Sequence, residues 1–497
     1  MYLPATHPIP QTRPERLARL EARMRRTGQW SPAQAAGRRW TIGCVSLEIT
    51  QRCNLDCALC YLSDSAEAVR DIPLEDLFRR IDGIAAQFGP NTDVQISGGD
   101  PTLRDRAELS QIVRYVRACG MRASLLTNGI LLSREWLCQL ASDGLNDVAF
   151  HVDMTQERKG YRCEADLNAL RLRYIDMARG LPISVMFNTT VFAGNLHEIA
   201  SVADFFVQHN DVVRFASFQL GADTGRGTVV GRDLVTVTQA SVGAAIAQGA
   251  GVPLNFDALH SGHRACNRYA MLVSIGAQRF DALADGEFVA RILRDTADTE
   301  FARDQGLRGA IALGRALLGQ RHLWGGFARL ALRMLWQARA QWLVTARSPT
   351  GLLGLRWRVR VPPVRKISFF THNFMDACGL DAERIDACVF MAATVDGPMA
   401  MCAYNAERDN FLLKPIRLGN GEAWQPLAVK PDANGEIRIP LKWLKGKPRD
   451  AAMARRRGRP ERASEGTKTD KVTQSTTHSM KHPMAPLAHE TQPQEAA

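Results

Sequence analysis

Three cysteines lie close together in the first part of the chain, in the pattern C-x3-C-x2-C formed by Cys53, Cys57 and Cys60. They follow directly after an apolar, β-rich run at residues 44–50. Other local ligands are too few to complete a zinc tetrahedron, so three thiolates at this spacing indicate an iron–sulfur cluster with one iron open for chemistry. A structural zinc site built on three cysteines is the alternative that the pattern leaves open.

A glycine-rich turn, Gly98-Gly99-Asp100-Pro101, follows the next apolar strand signal. Glycine permits a close approach of the backbone to a bound group, although an ordinary tight turn has the same composition. The cysteine spacing, this turn and their order along the chain resemble the radical S-adenosylmethionine (SAM) superfamily over residues 41–220. A weaker resemblance, at scattered residues of 260–410, is to the subgroup containing the tetraether lipid synthase and the methanopterin-modifying methylases.

The superfamily resemblance implies that a [4Fe–4S] cluster on Cys53, Cys57 and Cys60 holds SAM and cleaves it to a 5′-deoxyadenosyl radical. It also implies that SAM is bound by Gly98, Gly99, Asp100, Asp153, Asn188 and Gln219. Asp100 stands where relatives commonly carry Glu, and Leu59 stands where relatives usually carry an aromatic residue that packs on adenine, so we expect that packing to differ. A turn or N-cap role for Asp153 and a satisfied buried amide for Asn188 remain alternatives.

Strand and helix signals alternate through the same region, which predicts an α/β fold. Strands are predicted at 45–49, 94–97, 123–126, 148–152, 183–190 and 212–218, with helices at 72–88, 107–118, 135–141, 167–178 and 196–209. Six strands joined by helical crossovers form a partial (β/α)6 barrel, whose active-site residues lie at the carboxyl ends of the strands.

Four further cysteines lie beyond the predicted barrel. Four cysteines are the usual complement for a [4Fe–4S] cluster held entirely by protein, so a second cluster is predicted on Cys266, Cys378, Cys388 and Cys402. Buried free thiols that act as small apolar residues are the alternative. A small hairpin is predicted directly after Cys266, at residues 271–280, and the remaining cysteines, Cys44, Cys119, Cys138 and Cys163, are predicted to pack in the core.

A strongly basic segment lies between Cys266 and Cys378. Residues 305–375 contain eleven Arg, one Lys and no Asp or Glu, so they carry +12, which equals the formal charge of the whole chain. Within 311–344, apolar residues and arginines alternate as one or two helices, broken near Gly325-Gly326, with an apolar and a cationic face. Such a helix suits an anionic membrane surface. Structural cover for the barrel and nucleic-acid binding are the competing interpretations, and no nucleic-acid motif accompanies the segment.

The composition bounds the location and the organisation of the protein. No run of about 18 uncharged apolar residues and no apolar signal-peptide core are present, which predicts a cytoplasmic protein. The basic segment adds a peripheral position at the inner membrane face to this prediction. The eleven sparse cysteines fit a reducing compartment. The predicted units are a basic N-terminal extension at 1–40, the barrel core at 41–225, the barrel end with the Cys266 hairpin at 226–304, the basic helical segment at 305–365, a cysteine-containing region at 366–444 and a disordered tail at 445–497.

These features together predict a radical SAM enzyme. The expected reaction is hydrogen abstraction from an unactivated carbon, followed by coupling or alkylation. A lipid is the first choice of substrate. The electron comes from a donor such as ferredoxin or flavodoxin. A radical SAM peptide maturase with an auxiliary cluster and a non-catalytic zinc-binding module are the alternatives.

Overall fold

Strands and helices alternate along the first half of the chain, as the apolar periodicity predicts. The computed structural model describes residues 12–63, 65–224, 237–300, 311, 314–315, 318–346, 363–427, 436–438 and 471–473. The predicted disordered tail lies outside the described residues, apart from 471–473. None of the described helices combines the length and the apolar character needed to cross a bilayer.

The strands of the main sheet alternate with helices up to the seventh strand, which the eighth follows directly. These strands are β1 Cys44–Thr50, β2 Asp93–Gly98, β3 Arg122–Thr127, β4 Asp147–His151, β5 Ser184–Val191, β6 Val213–Leu220, β7 Asn267–Ile275, β8 Gln278–Asp281, β9 Val364–Asn373, β10 Phe390–Thr394 and β11 Gly397–Ala400. Two short antiparallel ribbons are also described, β12 Ile416–Arg417 with β13 Ala423–Trp424, and β14 Glu436–Arg438 with β15 Lys471–Thr473.

Helices connect the first six strands and continue into the C-terminal part. The described helices of five or more residues are α1 Arg13–Arg26, α2 Leu74–Phe88, α3 Arg106–Ala118, α4 Arg134–Ser142, α5 Asn168–Ala178, α6 Ile199–Gln208, α7 Gln239–Ala250, α8 Gly286–Asp295, α9 Arg321–Ala346, α10 Ala382–Asp386, α11 Met401–Ala406 and α12 Arg408–Leu412. The helix predicted at 72–88 begins later, at Leu74, with Pro73 at the N-cap position. The nearby Asp71 side chain does not cap this helix, because it accepts a hydrogen bond from the Thr50 hydroxyl.

One sheet contains all eleven main strands, in the order β11-β10-β1-β2-β3-β4-β5-β6-β9-β7-β8. β1 to β6 are parallel and adjacent in chain order, which confirms the predicted α/β partial barrel. Two more parallel strands, not predicted, extend it: β9 beside β6 and β10 beside β1. The β7–β8 hairpin, predicted after Cys266, is antiparallel and lies next to β9 in the sheet, on the side away from β6. The C-terminal segments thus complete the barrel sheet.

The two faces of the parallel strands differ in composition. In β1, Leu47 and Ile49 are buried in a core cluster that includes Leu77 of α2. Because successive side chains of a strand point to opposite faces, Ser46 and Glu48 lie on the inner face. Polar and aromatic side chains of the other strands share this inner face through their paired register, so the lumen has a mixed lining.

Candidate active site at the carboxyl ends of the strands

The three N-terminal cysteines lie in an irregular loop that begins where β1 ends. Cys53, Cys57 and Cys60 are half-buried. The start of the loop is anchored by Arg52, which forms a salt bridge with Asp71 and donates to the Leu103 carbonyl at 2.9 Å. The loop therefore has a fixed starting point at the carboxyl edge of the sheet.

Two further contacts tie the middle of the cysteine loop to neighbouring strand ends. Asn128, directly after β3, donates to the side-chain oxygen of Asn54 at 2.6 Å. The Ala58 amide donates to the Thr155 carbonyl, just after β4, at 2.7 Å. The loop thus extends along the carboxyl ends of several strands, where parallel α/β sheets bind ligands.

The glycine turn after β2 packs directly against this loop. A Cβ on Gly98 would lie 1.9 Å from the Thr50 carbonyl oxygen, and one on Gly99 would lie 2.0 Å from that of Arg52. Gly98 has a φ of 124°, and the Gly99 amide donates to the Thr50 carbonyl at 2.9 Å. Glycine is therefore required here for contact with the cysteine loop. Contact of the turn with SAM stays a prediction.

Asp100 links the ends of β2 and β3. Its carboxylate is fully buried and accepts hydrogen bonds from the Thr102 amide and hydroxyl, the Thr127 hydroxyl and the Asn128 amide at 2.5–3.1 Å. Burial raises the pKa of Asp100, and these donors offset part of the shift. The carboxylate thereby holds Asn128 in place, and Asn128 in turn holds the cysteine loop.

Asp153 has a similar set of partners after β4. It is fully buried, forms an ion pair with His151 at 2.6 Å, and accepts from the Thr155 amide at 2.9 Å and the Thr190 amide at 2.7 Å. Burial opposes ionisation, but His151 and these donors lower the pKa of Asp153 to about 2. His151 is desolvated too, yet Asp153 raises its pKa. The two side chains are thus an imidazolium–carboxylate pair over a range of acidic pH.

The remaining predicted SAM contacts lie on the inner face beside this pair. Asn188 of β5 is in register with His151 of β4 on one side and Ser217 of β6 on the other. Gln219, predicted just after the sixth strand, lies within β6 and is in register with His372 of β9. Residues paired in register face the same side of a sheet, so these side chains share one wall.

Leu59 of the cysteine loop, which stands where relatives usually carry an aromatic residue, lies beside the end of β6. A Cβ on Gly221, the residue after β6, would lie 3.1 Å from a Leu59 methyl carbon. Leu59 therefore reaches the end of β6, which carries Gln219, a predicted SAM contact. Its contact with adenine stays a prediction.

The C-terminal cysteines lie near the place where β9 and β10, the strands that flank β1 to β6 on either side, approach each other. His372 of β9 and Phe390 of β10 have ring centroids 6.4 Å apart. Beside them, burial raises the pKa of Cys388 to about 12, and the nearby Cys402 and Cys266 add to the shift. These three thiols are thus close enough to interact electrostatically.

Local hydrogen bonds place each of these thiols. Cys402 is buried and accepts from the Met375 amide at 3.5 Å, whereas the Cys266 sulfur is 3.3 Å from Nε of Arg384. Cys378 is exposed. A second cluster on Cys266, Cys378, Cys388 and Cys402 stays a prediction; of these thiols, Cys266 and Cys402 lie near Cys388.

The donor chemistry of the first loop fits an iron–sulfur cluster. Three thiols in one short loop are the ligands that such clusters use. Within the described residues, no three Cys, His, Asp or Glu side chains are arranged as ligands of a single metal ion. The fit therefore depends on the type of donor and the setting of the loop.

Sequence reasoning missed several side chains that the fold brings to this site. His151 pairs with Asp153, and Glu48 and Tyr61 contact Arg408 from the distant α12. A charged residue inside the apolar run of β1 was the available signal for Glu48. Nothing local to Arg408 points to β1, because their contact spans 360 residues.

Residues 47–206 match the family model of the Radical SAM superfamily. The match covers about a third of the chain and, with the parallel sheet and the cysteine loop at its carboxyl edge, assigns this barrel region to the radical SAM superfamily of enzymes. The family implies a [4Fe–4S] cluster and SAM as cofactors.

Curated relatives align with a part of the chain. The chain is 28% identical over 189 residues to 7,8-dihydro-6-hydroxymethylpterin dimethyltransferase of Methanocaldococcus jannaschii, which is 37% of each protein. It is 31% identical over 196 residues to Fe-coproporphyrin III synthase of Methanosarcina barkeri, covering 38% of this chain and 47% of that protein. PqqA peptide cyclase of Bradyrhizobium diazoefficiens is 29% identical over 160 residues, 32% of this chain and 41% of its own length. The chain thus spans less than half the length of each of these three relatives.

Among solved structures, SuiB of Streptococcus suis bound to S-adenosylmethionine is similar to part of the chain. The TM-score is 0.31 with 16% identity, over 38% of this chain and 44% of SuiB.

Proposed function

We propose that this protein reductively cleaves SAM at a [4Fe–4S] cluster on Cys53, Cys57 and Cys60 and abstracts hydrogen from an unactivated carbon. The observation that carries the proposal is the cysteine loop itself, which is held against Gly98 and Gly99 at the carboxyl ends of the parallel strands. Three thiols at this edge of the sheet leave one iron of a four-iron cluster without a protein ligand.

When bound, the cluster and SAM supply one-electron cleavage of a carbon–sulfur bond, which yields methionine and a 5′-deoxyadenosyl radical that takes a hydrogen atom from the substrate. The protein binds and orients SAM through the inner-face side chains Asn188 and Gln219, beside the His151–Asp153 pair. The electron is supplied by an external one-electron donor of the ferredoxin or flavodoxin class.

Cys57→Ala tests this activity against the control Cys138→Ala, which changes a cysteine of α4 that is predicted only to pack. We expect anaerobically purified protein to contain about four irons for each cluster present, and the SAM-sensitive paramagnetic signal to disappear in Cys57→Ala. With dithionite, 5′-deoxyadenosine formation should fall to background in Cys57→Ala and persist in Cys138→Ala. Zinc in place of iron would support the zinc-binding module, and SAM cleavage by Cys57→Ala would contradict the proposal.

The proposed substrate class is a lipid, because α9 presents an apolar stripe to solvent. Leu332 and Trp336 are 65% and 67% exposed, and Trp324 and Leu335 are exposed on the same side of the helix. The opposite side is packed: Leu323 is buried, and Phe327 contacts Phe288 of α8 edge-to-face at 5.0 Å. This exposed stripe of Trp324, Leu332, Leu335 and Trp336 is the α9 stripe.

Cationic side chains flank the α9 stripe. Arg329 and Arg333 are exposed beside it, and the Arg339 guanidinium lies 4.1 Å from the Trp336 ring centroid. Exposed tryptophan and leucine edged by arginine are complementary to the interface of an anionic membrane. The same helix as mere cover for the barrel would turn these apolar side chains inward. We therefore propose that the enzyme binds peripherally at the inner membrane face.

Vesicle binding tests this placement. We expect the protein to sediment with vesicles of phosphatidylglycerol and phosphatidylcholine but weakly with phosphatidylcholine alone. Combined Leu332→Ser and Trp336→Ser should weaken binding by about tenfold or more. The control, Ile130→Ser with Leu172→Ser, removes two exposed apolar side chains elsewhere and should leave binding unchanged. Equal binding by both double variants would contradict the membrane role of α9.

A radical SAM peptide maturase is the second candidate, favoured by the grouping of Cys266, Cys388 and Cys402. Such thiols suit an auxiliary [4Fe–4S] cluster, and one of the relatives is named as a peptide cyclase. About eight irons per chain, falling to about four in a Cys53/Cys57/Cys60→Ala variant, would establish the second cluster. About four irons falling to none would assign the C-terminal thiols to packing.

A further inference from the structure

A buried ion pair joins β1 to α12. Glu48 and Arg408 are 4% and 3% exposed, and Nη1 of Arg408 donates to both carboxylate oxygens of Glu48 at 2.6 and 2.7 Å. The Tyr404 hydroxyl of α11 donates to the same carboxylate at 2.9 Å, and the Asn405 side chain accepts from Arg408 at 2.5 Å. The C-terminal helices thus supply most of the partners of a strand residue of the barrel.

Both ends of the cysteine loop touch this ion pair. Gln51, two residues before Cys53, donates to Glu48 at 2.8 Å. Tyr61, directly after Cys60, stacks its ring 4.7 Å from the Arg408 guanidinium. The Tyr61 hydroxyl also donates to the Gly98 carbonyl at 2.5 Å. The loop is therefore held at its start through Glu48 and at its end through Arg408.

The arrangement is sensitive to the loss of the cation. The guanidinium lies between Tyr61 and Tyr404, whose ring centroid is 4.6 Å away. Cation–π attraction is strongest where water is excluded, and a buried carboxylate that loses its partner is left as an uncompensated charge. A neutral side chain at position 408 would release Tyr61 and destabilise Glu48, which holds Gln51.

We propose that Arg408 is a positioning residue that fixes both ends of the cysteine loop and so makes the SAM site depend on the C-terminal helices. α11 carries Tyr404 and also Cys402, so one short helix connects the two groups of cysteines. The role of the loop as cluster holder rests on the proposed function, whereas the mechanical coupling does not.

Hydrogen–deuterium exchange of the metal-free protein tests the coupling without any cofactor. In Arg408→Met, we expect peptides covering residues 51–62 to exchange about tenfold faster or more, while peptides of β3 and β4 keep wild-type rates. Arg408→Lys keeps the charge but not the planar guanidinium, so the exchange rate of its loop should lie between those of wild type and Arg408→Met. Arg417→Met, an exposed arginine of β12, is the matched control and should exchange as wild type.

The loaded protein gives an independent readout. Arg408→Met should keep its iron but bind SAM about tenfold more weakly, with a smaller change of the paramagnetic signal on adding SAM. If Arg408→Met unfolds globally, Glu48→Gln with Arg408→Met removes both charges, and its loop should still exchange faster than wild type. Wild-type loop exchange in a folded Arg408→Met or in the double variant would overturn the proposal. Failure of wild-type protein to cleave SAM would instead overturn the proposed function alone.

Discussion

The two aspartates at the strand ends have the same local chemistry. Asp100 and Asp153 each stand in a D-x-T sequence, and each accepts from the amide and hydroxyl of the threonine two residues later. Each then caps a short 3-10 turn and bonds to a neighbouring strand end. The D-x-T pattern was visible in the sequence and predicts the turn role. The cross-strand partners were not visible, because they depend on the register of the sheet.

His151 and Asp153 give the fold a defined dependence on pH. The raised pKa of His151 means that its pairing stabilises the fold fully below pH 6.5 and less as the pH rises through the raised value. The pKa of Asp153 is lowered from 3.8 to about 2. The stabilisation of the fold by this carboxylate is therefore fully present above pH 3.8 and is lost as the pH falls toward 2. The pair is therefore most stabilising at moderately acidic pH.

His151→Gln should destabilise the metal-free protein by about 1–3 kcal/mol at pH 5.5 and by less at pH 9, because the charge-assisted bond is lost only where the imidazolium exists. Urea unfolding at the two pH values measures the difference. His197→Gln changes an exposed histidine and should show no such dependence. Equal destabilisation by His151→Gln at both pH values would contradict an imidazolium at this position.

At the scale of elements, the strands of the core were predictable and their outer partners were not. β1 to β6 lie within about two residues of the predicted positions, because buried apolar runs between helical periods mark them locally. β9 and β10 have similar local composition, but their pairing with β6 and β1 depends on contacts far apart in sequence. The C-terminal part of the barrel was missed for this reason.

The predicted break in the basic helix is wrong, because α9 continues through Gly325 and Gly326. These glycines have different surroundings. A Cβ on Gly326 would lie 2.1 Å from the Phe288 ring, whereas one on Gly325 would meet nothing within 4 Å. The Gly326 position therefore lets α9 lie close to α8.

This difference predicts opposite effects of two adjacent substitutions. Gly325→Ala should stabilise α9 by about 0.5–1 kcal/mol, because alanine favours the helix. Gly326→Ala should loosen its docking by about 1–3 kcal/mol, since the buried ring must move. Tryptic cleavage within α9, at Arg329 and Arg333, should slow in the first variant and accelerate in the second. Similar rates in both variants would contradict the close packing of α9 on α8.

At the scale of the whole molecule, the net charge is confined to one segment of the chain, whereas the sheet is built from strands along most of it. The net charge of +12 resides in residues 305–375, and the remainder sums to zero. The sheet, by contrast, draws on both halves of the chain, since β7 to β11 complete what β1 to β6 begin. The basic segment is therefore inserted within the sequence of the barrel, and α9 packs on the outside of the β7–β8 end through Met334, Ile275 and Phe280.

β9 and β10 are translated long after the strands with which they pair, and this order affects folding on the ribosome. β1 and β6 can form and pair with their inner neighbours before either outer partner exists. The 174 residues from Leu220 to Thr394 take about 9–35 s to translate at about 5–20 residues per second. Until Asn373 is made, the nascent sheet has two unpaired parallel edges, and until Thr394 is made the edge at β1 stays unpaired. Such edges are templates for pairing with other chains, so we expect nascent chains of this protein to need chaperone protection or rapid translation over this interval.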